Sequence, residues 1–156
     1  MKAVFSKQGL VSFGIQDEGD CPRWSGPYSH EDDDRLAALK TYVTDYFYGR
    51  DPGTGDIPLD MTGISPFRVR VYKELMKITY GQVISYGELA WNAGSPGGGR
   101  AVGNAMNSNP FLLIVPCHRV LASRGKYSIG GFGIGLDVKR FLLRSEGHDE
   151  TNIIGI

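Results

Sequence analysis

Apolar residues recur at two spacings along this chain, and the change of spacing separates predicted strands from predicted helices. Near the amino end they alternate with polar residues, first through Ala3–Phe5 and then through residues 11–15. The dipeptide Gln8-Gly9 separates the two runs. Alternation across a glycine-containing turn predicts a β-hairpin over residues 1–16.

A helical pattern follows a stretch of loop-forming residues, 17–30. Ser29 and the acidic run Glu31–Asp34 favour a helix N-terminus. The apolar positions beyond them are spaced by three and four residues, as on one buried helix face, and they are Leu36, Leu39, Val43, Tyr46 and Phe47. Gly49 predicts the end of this helix, and Ile57–Met61 is predicted as a short strand.

Helices dominate the predicted second half of the chain. Ser65-Pro66 is an N-cap and first-turn pair, which opens a helix that ends before Gly81. The apolar stripe of this helix consists of Phe67, Val71, Leu75 and Ile78.

Two shorter helices follow. A capping box at Ser85 and Glu88 opens the first, which closes at Gly94, and Arg100–Met106 forms the second. Two short helices joined by a glycine-containing turn are the pattern of a helix-turn-helix.

The last part of the chain begins with Phe111–Val115, an apolar run too short for a helix and therefore predicted to be extended and buried. It leads into Pro116-Cys117-His118-Arg119-Val120 and then into a glycine-rich stretch, 130–135. A final helix, Leu136–Arg144, ends before Gly147 and is predicted to bury Val138, Phe141 and Leu142. Strands and helices in this order indicate an α+β fold.

Composition narrows the possible classes of protein. The 156 residues are 41% hydrophobic, which is enough apolar mass for a core. No apolar run approaches the roughly 20 residues of a membrane span, and the amino end lacks the pattern of a signal peptide. Two cysteines make no disulfide framework, which favours a reducing, cytoplasmic setting.

The formal net charge is zero, but the charges are unevenly distributed. Residues 1–65 carry six basic and eleven acidic side chains, whereas residues 66–148 carry eleven basic and four acidic ones. A basic half with a helix-turn-helix pattern favours DNA as a partner. The sign changes near Gly63–Pro66, which predicts one domain over residues 1–63 and another over residues 64–156.

Cys117, His118 and Glu146 are the candidate reactive residues. A cysteine reacts as the thiolate, so it needs a base or a positive surrounding, which His118 and Arg119 could supply. Glu146 follows the last helix, where a carboxylate opposes the helix dipole, so an imidazole partner would explain its place. From the residues alone, a structural cysteine beside a surface histidine and a solvated glutamate remain open.

These motifs together resemble those of the methylated-DNA–protein-cysteine methyltransferases, also called O6-alkylguanine-DNA alkyltransferases. The resemblance extends from Phe67 to His148 and rests on Gly81–Tyr86, Gly94–Met106, Asn109-Pro110, Pro116–Val120 and Leu142–His148. It implies a small ribonuclease H-like N-terminal domain, with an antiparallel hairpin and a helix, before a mainly helical domain with a winged-helix-like helix-turn-helix.

The resemblance implies repair of double-stranded DNA by direct reversal of damage. Cys117 would accept the alkyl group from O6-alkylguanine, and also from O4-alkylthymine, in one irreversible turnover that needs no cofactor. His118 would deprotonate Cys117 through a water, and Glu146 would orient His118. Asn109 would brace the turn that holds Cys117, and Tyr86 would donate a proton or hydrogen bond to the leaving guanine.

In the family, the second helix of the motif enters the minor groove of DNA. The small residues Gly99, Ala101 and Gly103 would permit that close approach, and Ser85 is a further candidate for a DNA contact. Arg100 would take the place of the flipped base in the stack. From the residues alone, a phosphate contact or a solvated charge is the preferred interpretation of Arg100.

The guanine pocket would be lined by Val120, Phe132 and Gly133 together with Tyr86. The segment Phe132–Gly135 departs from the better-known members, in which a tyrosine and a small residue stand in place of Phe132 and Ile134. This departure bears on the size of the alkyl group that the pocket accepts.

Some members of the family bind zinc in the N-terminal domain. Only Cys21 and His30 could serve here, whereas a structural zinc site needs four ligands, so no metal is predicted. The expected protein is a monomer that binds duplex DNA and no membrane. Two other functions remain open, namely a helix-turn-helix regulator without alkyl transfer and a Cys–His–Glu hydrolase.

Overall fold

The computed structural model of the chain describes residues 1–15, 34–53, 57–123 and 127–156. The helices over these residues are α1 (Asp34–Phe47), α2 (Pro66–Leu75), α3 (Tyr86–Asn92), α4 (Gly99–Asn107) and α5 (Leu136–Ser145). The strands are β1 (Lys2–Phe5), β2 (Leu10–Gly14), β3 (Ile84–Ser85), β4 (Val120–Ser123), β5 (Tyr127–Ser128) and β6 (Ile153–Ile154). This mixture agrees with the predicted α+β class. The predicted loop 17–30 and the cap at Ser29 lie outside the described residues.

The predicted hairpin is present, since β1 and β2 pair in antiparallel fashion. Its turn packs against the segment that follows α1, where a Cβ atom on Gly9 would lie 2.3 Å from the Pro58 carbonyl oxygen, so only glycine fits. Leu10 exchanges backbone hydrogen bonds with Pro58 and Asp60. The strand predicted over residues 57–61 is therefore reduced to a single bridge between Leu59 and Leu10.

Helix α1 buries Leu39, Tyr42 and Tyr46. The prediction of Phe47 as a core residue is wrong, because Phe47 is 47% exposed while Tyr42 takes a place in the core. The helix gives way to a turn at Gly49, which has a positive φ of 71°.

Helix α2 begins at Pro66 as predicted, but it ends at Leu75, earlier than the apolar stripe indicated. The turn that follows is closed by hydrogen bonds from Lys77 to Glu74 and from Ile78 to Leu75. Ile78 therefore packs against the core from a turn and not from the helix.

The predicted helix-turn-helix corresponds to α3 and α4. Both hydrogen bonds of the predicted capping box form: Glu88 N–H donates to Ser85 Oγ at 3.1 Å, and Ser85 N–H donates to the Glu88 carboxylate at 2.9 Å. Helix α4 extends one residue beyond the predicted bounds at each end. Local capping and turn signals thus locate both helices closely.

The apolar run Phe111–Val115 is buried as predicted, but it is not extended. Phe111 forms a bridge with Phe13, and the chain then turns, with Leu113 at a positive φ of 69°. A non-glycine residue in this region is held there by the surrounding structure, here by packing in the core.

A second sheet, which the hydrophobic pattern did not predict, has the strand order β3-β4-β5-β6. The outer pairs are parallel and the central pair is antiparallel. Helix α5 lies beside it and buries Lys139, Leu142 and Leu143. Phe141, predicted to be buried, is 58% exposed.

One hydrophobic cluster joins both halves of the chain. It includes Leu10 and Tyr46 from the first half and Val71, Phe111 and Cys117 from the second. The predicted boundary at residue 63 therefore does not separate two hydrophobic cores. Within the described ranges, no helix is both long enough and apolar enough to cross a membrane.

Candidate active site

Cys117 begins a single 3-10 turn, Cys117–Arg119, which connects the buried apolar run to β4. The cysteine is 6% exposed and forms part of the wall of a pocket of about 230 Å³. Asn109 and the segment 132–134 line the same pocket, and β2 of the N-terminal hairpin contributes residues 12–14. The thiol is therefore buried in the protein but borders a space that a small group can enter.

His118 and Glu146 meet in the interior, although 28 residues separate them in sequence. Nε2 of His118 lies 2.7 Å from Glu146 Oε1, and both side chains are fully buried. A carboxylate can only accept, so Nε2 carries the proton and Nδ1 is left as the basic nitrogen. Among the described residues Nδ1 has no hydrogen-bond partner. The imidazole is thus oriented with its basic nitrogen free.

Arg119 was considered only as a positive neighbour, but the structure places it against Glu146. Its Nε and Nη2 donate to the Glu146 carboxylate, with Nη2 2.9 Å from Oε1. The Gly81 N–H donates to Oε2 at 3.1 Å. Burial by itself raises the pKa of Glu146, but the hydrogen bonds from His118 and Arg119, together with the electrostatic effect of these two side chains, outweigh burial and lower it to about 2.

Tyr46 is a second functional candidate that the sequence pattern did not single out. It was predicted only as a core residue of α1, yet its hydroxyl donates to Glu146 Oε1 at 2.9 Å and lies 3.3 Å from His118 Nε2. Nothing in the local sequence could have indicated this contact, because 100 residues separate Tyr46 from Glu146.

The resting site favours a neutral Cys117 and a neutral His118. Burial raises the pKa of the Cys117 thiol. A hydrogen bond from Asn109 and the charge of Lys139 lower this pKa, but burial has the larger effect. Burial likewise lowers the pKa of His118, and Arg119 and Lys139 lower it further, although Glu146 raises it. A thiolate–imidazolium pair is therefore not formed in advance.

Asn109 supports the turn before Cys117 through its side chain. Its Nδ2 donates to the Val115 carbonyl at 2.8 Å, and its Oδ1 accepts from the Phe111 N–H at 3.0 Å. These contacts fix both ends of the buried run, so Asn109 occupies the place expected of a bracing residue.

Lys139, which the sequence did not single out, is fully buried between β4 and the glycine-rich segment. Its Nζ donates to the carbonyls of Val120 at 2.7 Å and Gly131 at 3.2 Å, and it lies 5.7 Å from the ring centre of Phe132. Burial lowers the pKa of this amine to about 8, although the nearby Cys117 raises it. The ammonium holds the glycine-rich segment against β4.

Tyr86, at the first position of α3, is half buried beside the glycine-rich segment. Its hydroxyl donates to the Gly131 carbonyl at 3.4 Å. Burial raises its pKa, and the nearby Cys117 adds to the effect. Tyr86 therefore lies within electrostatic range of the Cys117 thiol.

Two expected site residues are placed differently. Val120 was predicted to line the pocket, but its side chain is fully buried in the core because β4 pairs with β3. Ser85 was predicted to contact DNA, but it is 7% exposed and its hydroxyl caps α3. Phe132 and Gly133, by contrast, border the same pocket as Cys117.

The residues expected to face DNA lie on α4. Arg100 and Ala101 are exposed in its first turn. Gly99 and Gly103 face Tyr86, where an added Cβ would lie 3.8 Å from the Tyr86 Cβ and 4.0 Å from its ring. These are ordinary contact distances, so packing within the protein does not require glycine at either position.

The two weak zinc candidates, Cys21 and His30, lie outside the described residues. Within the described part of the chain, no group of three or more His, Cys, Asp or Glu side chains is arranged to hold a metal ion.

Comparison with known families assigns the chain to one of them. Residues 66–148 match the family described as 6-O-methylguanine DNA methyltransferase, DNA binding domain. The chain belongs to this family. The resemblance drawn from the sequence motifs is thereby confirmed.

Individual relatives support the same assignment. A methylated-DNA–protein-cysteine methyltransferase of Metallosphaera sedula is 42% identical over 117 residues, which cover 74% of this chain and 70% of the relative. A DNA base-flipping protein of Thermus thermophilus is 44% identical over 110 residues, which cover 70% of this chain and 71% of the relative.

Solved structures extend the similarity beyond the matched domain. Mycobacterium tuberculosis OGT in complex with DNA superimposes with a TM-score of 0.74 at 34% identity, covering 92% of this chain and 85% of that one. An O6-methylguanine-DNA methyltransferase of Pyrococcus kodakaraensis gives a TM-score of 0.59 at 37% identity, covering 70% and 62%. The family fold therefore includes the N-terminal half as well.

Proposed function

We propose that this protein repairs DNA by transferring the alkyl group of O6-alkylguanine irreversibly to its own Cys117. The observation that carries the proposal is the arrangement of three side chains. Cys117 borders a pocket, His118 is the next residue in the chain, and Glu146 Oε1 accepts a hydrogen bond from His118 Nε2 at 2.7 Å. A nucleophile, a base and an orienting carboxylate are the groups that such a transfer needs.

The proposed reaction is an in-line displacement at the alkyl carbon. His118 Nδ1 takes the thiol proton through a water, a carbon–sulfur bond forms, and the bond between that carbon and guanine O6 breaks. The electron pair of the broken bond remains on the guanine, which gains a proton, with Tyr86 as the hydrogen-bond donor. Asn109 supports the thiolate through its hydrogen bond to Cys117, and the charge of Lys139 also lowers the pKa of the thiol. The products are a thioether on Cys117 and an unmodified guanine.

One turnover is expected because a thioether has no good leaving group. Cys117 is the free cysteine among the described residues, and Cys21 is the other cysteine of the sequence. The protein is thus consumed in the reaction, one molecule for each lesion, and O4-alkylthymine is a second proposed substrate.

The proposed DNA complex places α4 in the minor groove. Gly99 and Gly103 support this placement. The packing of the protein does not require glycine at either position, so we attribute the lack of a side chain to the close approach of a partner. Arg100 would fill the space of the flipped base, since a stacked, paired base cannot reach a buried sulfur. The flipped guanine would then lie between Tyr86 and the segment that contains Phe132 and Gly133.

The proposal assigns different roles to the two halves of a monomer. Residues 1–63 form the support domain, proposed as ribonuclease H-like from the hairpin and α1. Residues 64–156 carry DNA binding and the alkyl acceptor, with a winged-helix-like arrangement around α3 and α4. Because both halves share one hydrophobic cluster, the proposed division is one of roles.

The test is incubation with duplex DNA that contains one O6-methylguanine, followed by intact-mass and peptide-mass analysis. We expect one methyl group per protein on the Cys117 peptide, no transfer in Cys117→Ala, and unchanged transfer in Cys21→Ala. Tight binding without a mass gain would favour a DNA-binding regulator. A hydrolysed product released over many turnovers would favour a hydrolase.

A further inference from the structure

Tyr46 connects the N-terminal half of the chain to the proposed catalytic pair. It lies on α1 and is fully buried. Its hydroxyl donates to Glu146 Oε1, the same oxygen that accepts the Nε2–H of His118. Arg119 Nη2 donates to that oxygen as well, so donors from α1 and from the Cys117–Arg119 turn meet at one oxygen atom of Glu146.

Building on the proposed alkyl transfer, we infer that Tyr46 is a positioning residue, whose hydroxyl fixes the Glu146 oxygen that orients His118. The hydroxyl also shares that oxygen with the imidazole, so it limits how strongly Glu146 can hold a second proton on His118. The N-terminal half then takes part in the chemistry through one hydrogen bond, in addition to packing.

Packing alone does not account for the hydroxyl. The ring of Tyr46 contacts His118 and Tyr80 edge to face, with ring centres 6.1 and 5.6 Å apart, and a phenylalanine would make the same contacts. A hydroxyl in this interior needs a hydrogen-bond partner, which Glu146 supplies. The polar contact is therefore the feature that distinguishes tyrosine from phenylalanine here.

Tyr42 offers a matched control on the same helix. It is also buried in the core, one turn before Tyr46, but its hydroxyl donates to the Leu113 carbonyl at 3.4 Å and not to the Glu146 carboxylate. Tyr42→Phe and Tyr46→Phe thus remove the same atom from similar surroundings. Only Tyr46→Phe removes a hydrogen-bond donor from the Glu146 carboxylate.

The inference predicts a direction for the pH dependence. The groups that act on His118 are Glu146, which favours its protonation, Arg119 and Lys139, which oppose it, and Tyr46, which shares the Glu146 oxygen. Removing the Tyr46 hydroxyl makes Glu146 a stronger acceptor, so the pKa of His118 rises. Less neutral imidazole is then present at a given acidic pH, and the acidic limb of the rate profile moves to higher pH.

The experiment measures the single-turnover rate of methyl transfer to Cys117 against pH for the unaltered protein, Tyr46→Phe and Tyr42→Phe. We expect Tyr46→Phe to be roughly three- to tenfold slower at neutral pH, as for the loss of one hydrogen bond, with its acidic limb shifted upward. Tyr42→Phe keeps the unaltered profile. The inference would be overturned if all three proteins had equal transfer rates and the same acidic limb. It would also be overturned if Tyr46→Phe and Tyr42→Phe lost equal amounts of transfer rate.

NMR separates this inference from the proposed function. Titration of the His118 ring nitrogens needs no transfer, and it should show a higher His118 pKa in Tyr46→Phe only; an unchanged value overturns the inference even if the unaltered protein repairs DNA. If Tyr46→Phe does not fold, the hydroxyl proton of Tyr46 in the unaltered protein provides the test. Slow exchange and a contact with the His118 ring support the inference, and rapid exchange without that contact contradicts it.

Discussion

Arg119 contacts both carboxylate oxygens of Glu146 through one nitrogen, with Nε 3.1 Å from Oε1 and 3.0 Å from Oε2. Its Nη1 donates at the same time to the Ile78 carbonyl at 2.6 Å. The charge of Glu146 is therefore balanced inside the protein before any substrate binds. This balance explains how a buried glutamate can orient His118 while the imidazole stays neutral in the resting site.

The first prediction concerns the shape of the Arg119 side chain. Arg119→Lys keeps the charge but loses the planar arrangement of donors that contacts Glu146 and Ile78 together. We expect the free energy of unfolding to fall by about 2 kcal/mol, because the buried carboxylate loses donors that a lysine cannot replace. Urea unfolding monitored by circular dichroism measures the change.

Arg50→Lys is the control for Arg119→Lys. Arg50 pairs with Asp45 at the surface, where an ion pair contributes little. Its free energy of unfolding should change by less than about 0.5 kcal/mol. Similar losses in the two variants would show that the geometry around Glu146 is unimportant for stability.

The second prediction concerns stability in acid. The pKa of Glu146 is about 2 in the folded protein against an ordinary 4.5, so its contribution is complete above about pH 4.5 and is lost as the pH falls towards 2. The full contribution corresponds to about 3 kcal/mol. Glu146→Gln cannot titrate, so its free energy of unfolding should fall less steeply in this range.

The comparison between the two proteins isolates Glu146 from other carboxyl groups. Hydrogen bonds from Ser6 and Thr62 also lower the pKa of Asp60, and those from Ser85 lower the pKa of Glu88. Asp60 and Glu88 are protonated over the same pH range in the unaltered protein and in Glu146→Gln, so their effect on the free energy of unfolding cancels in the comparison. Parallel stability curves for the two proteins below pH 4.5 would contradict the assignment.

The third prediction concerns base flipping by Arg100. Arg100→Ala should slow transfer from duplex DNA by roughly ten- to hundredfold, because nothing then replaces the extruded base in the stack. Transfer from a free O6-alkylguanine base needs no flipping and should be unchanged. Lys40→Ala removes an exposed cation from α1 and should leave both rates intact. Equal losses on duplex DNA and on the free base would place Arg100 in the chemistry instead.

The fourth prediction concerns the alkylated protein. Cys117 is buried and accepts a hydrogen bond from Asn109, and a methyl group on the sulfur disturbs that bond and displaces the side chains at the buried edge of the pocket. Changes of this kind in a packed site lower the melting temperature by about 3 to 10 °C in a protein of this size. Calorimetry of the methylated and unmodified forms measures the difference. An equal or higher melting temperature for the methylated form would refute the prediction.

Local patterns were sufficient for the parts of the fold that depend on neighbouring residues. The hairpin at Gln8-Gly9, the capping box at Ser85 and Glu88, and the bounds of α4 follow the sequence closely, because turns and caps are decided within a few residues. The motif around Cys117 identified the family for the same reason, since its residues are adjacent in the chain.

The burial of individual positions in the apolar stripes was less predictable. Phe47 and Phe141 fit the spacing of a buried helix face, yet both are largely exposed and lie with their ring centres 6.2 Å apart. Both rings lie where α1 and α5 meet at the surface, and no periodicity within one helix records where a neighbouring helix leaves a side chain uncovered. Val120 shows the same dependence, because pairing with β3 directs its side chain into the core.

The sequence by itself determined the class of fold, the local elements and the nucleophile with its neighbouring histidine. Only the tertiary structure decided which residues complete the site around Glu146. Tyr46, Gly81 and Arg119 contact the same carboxylate from positions up to 100 residues away, and contacts over such separations leave no local pattern. A buried carboxylate must be satisfied by whichever donors the packed core brings to it, so its partners are set by packing and not by spacing along the chain.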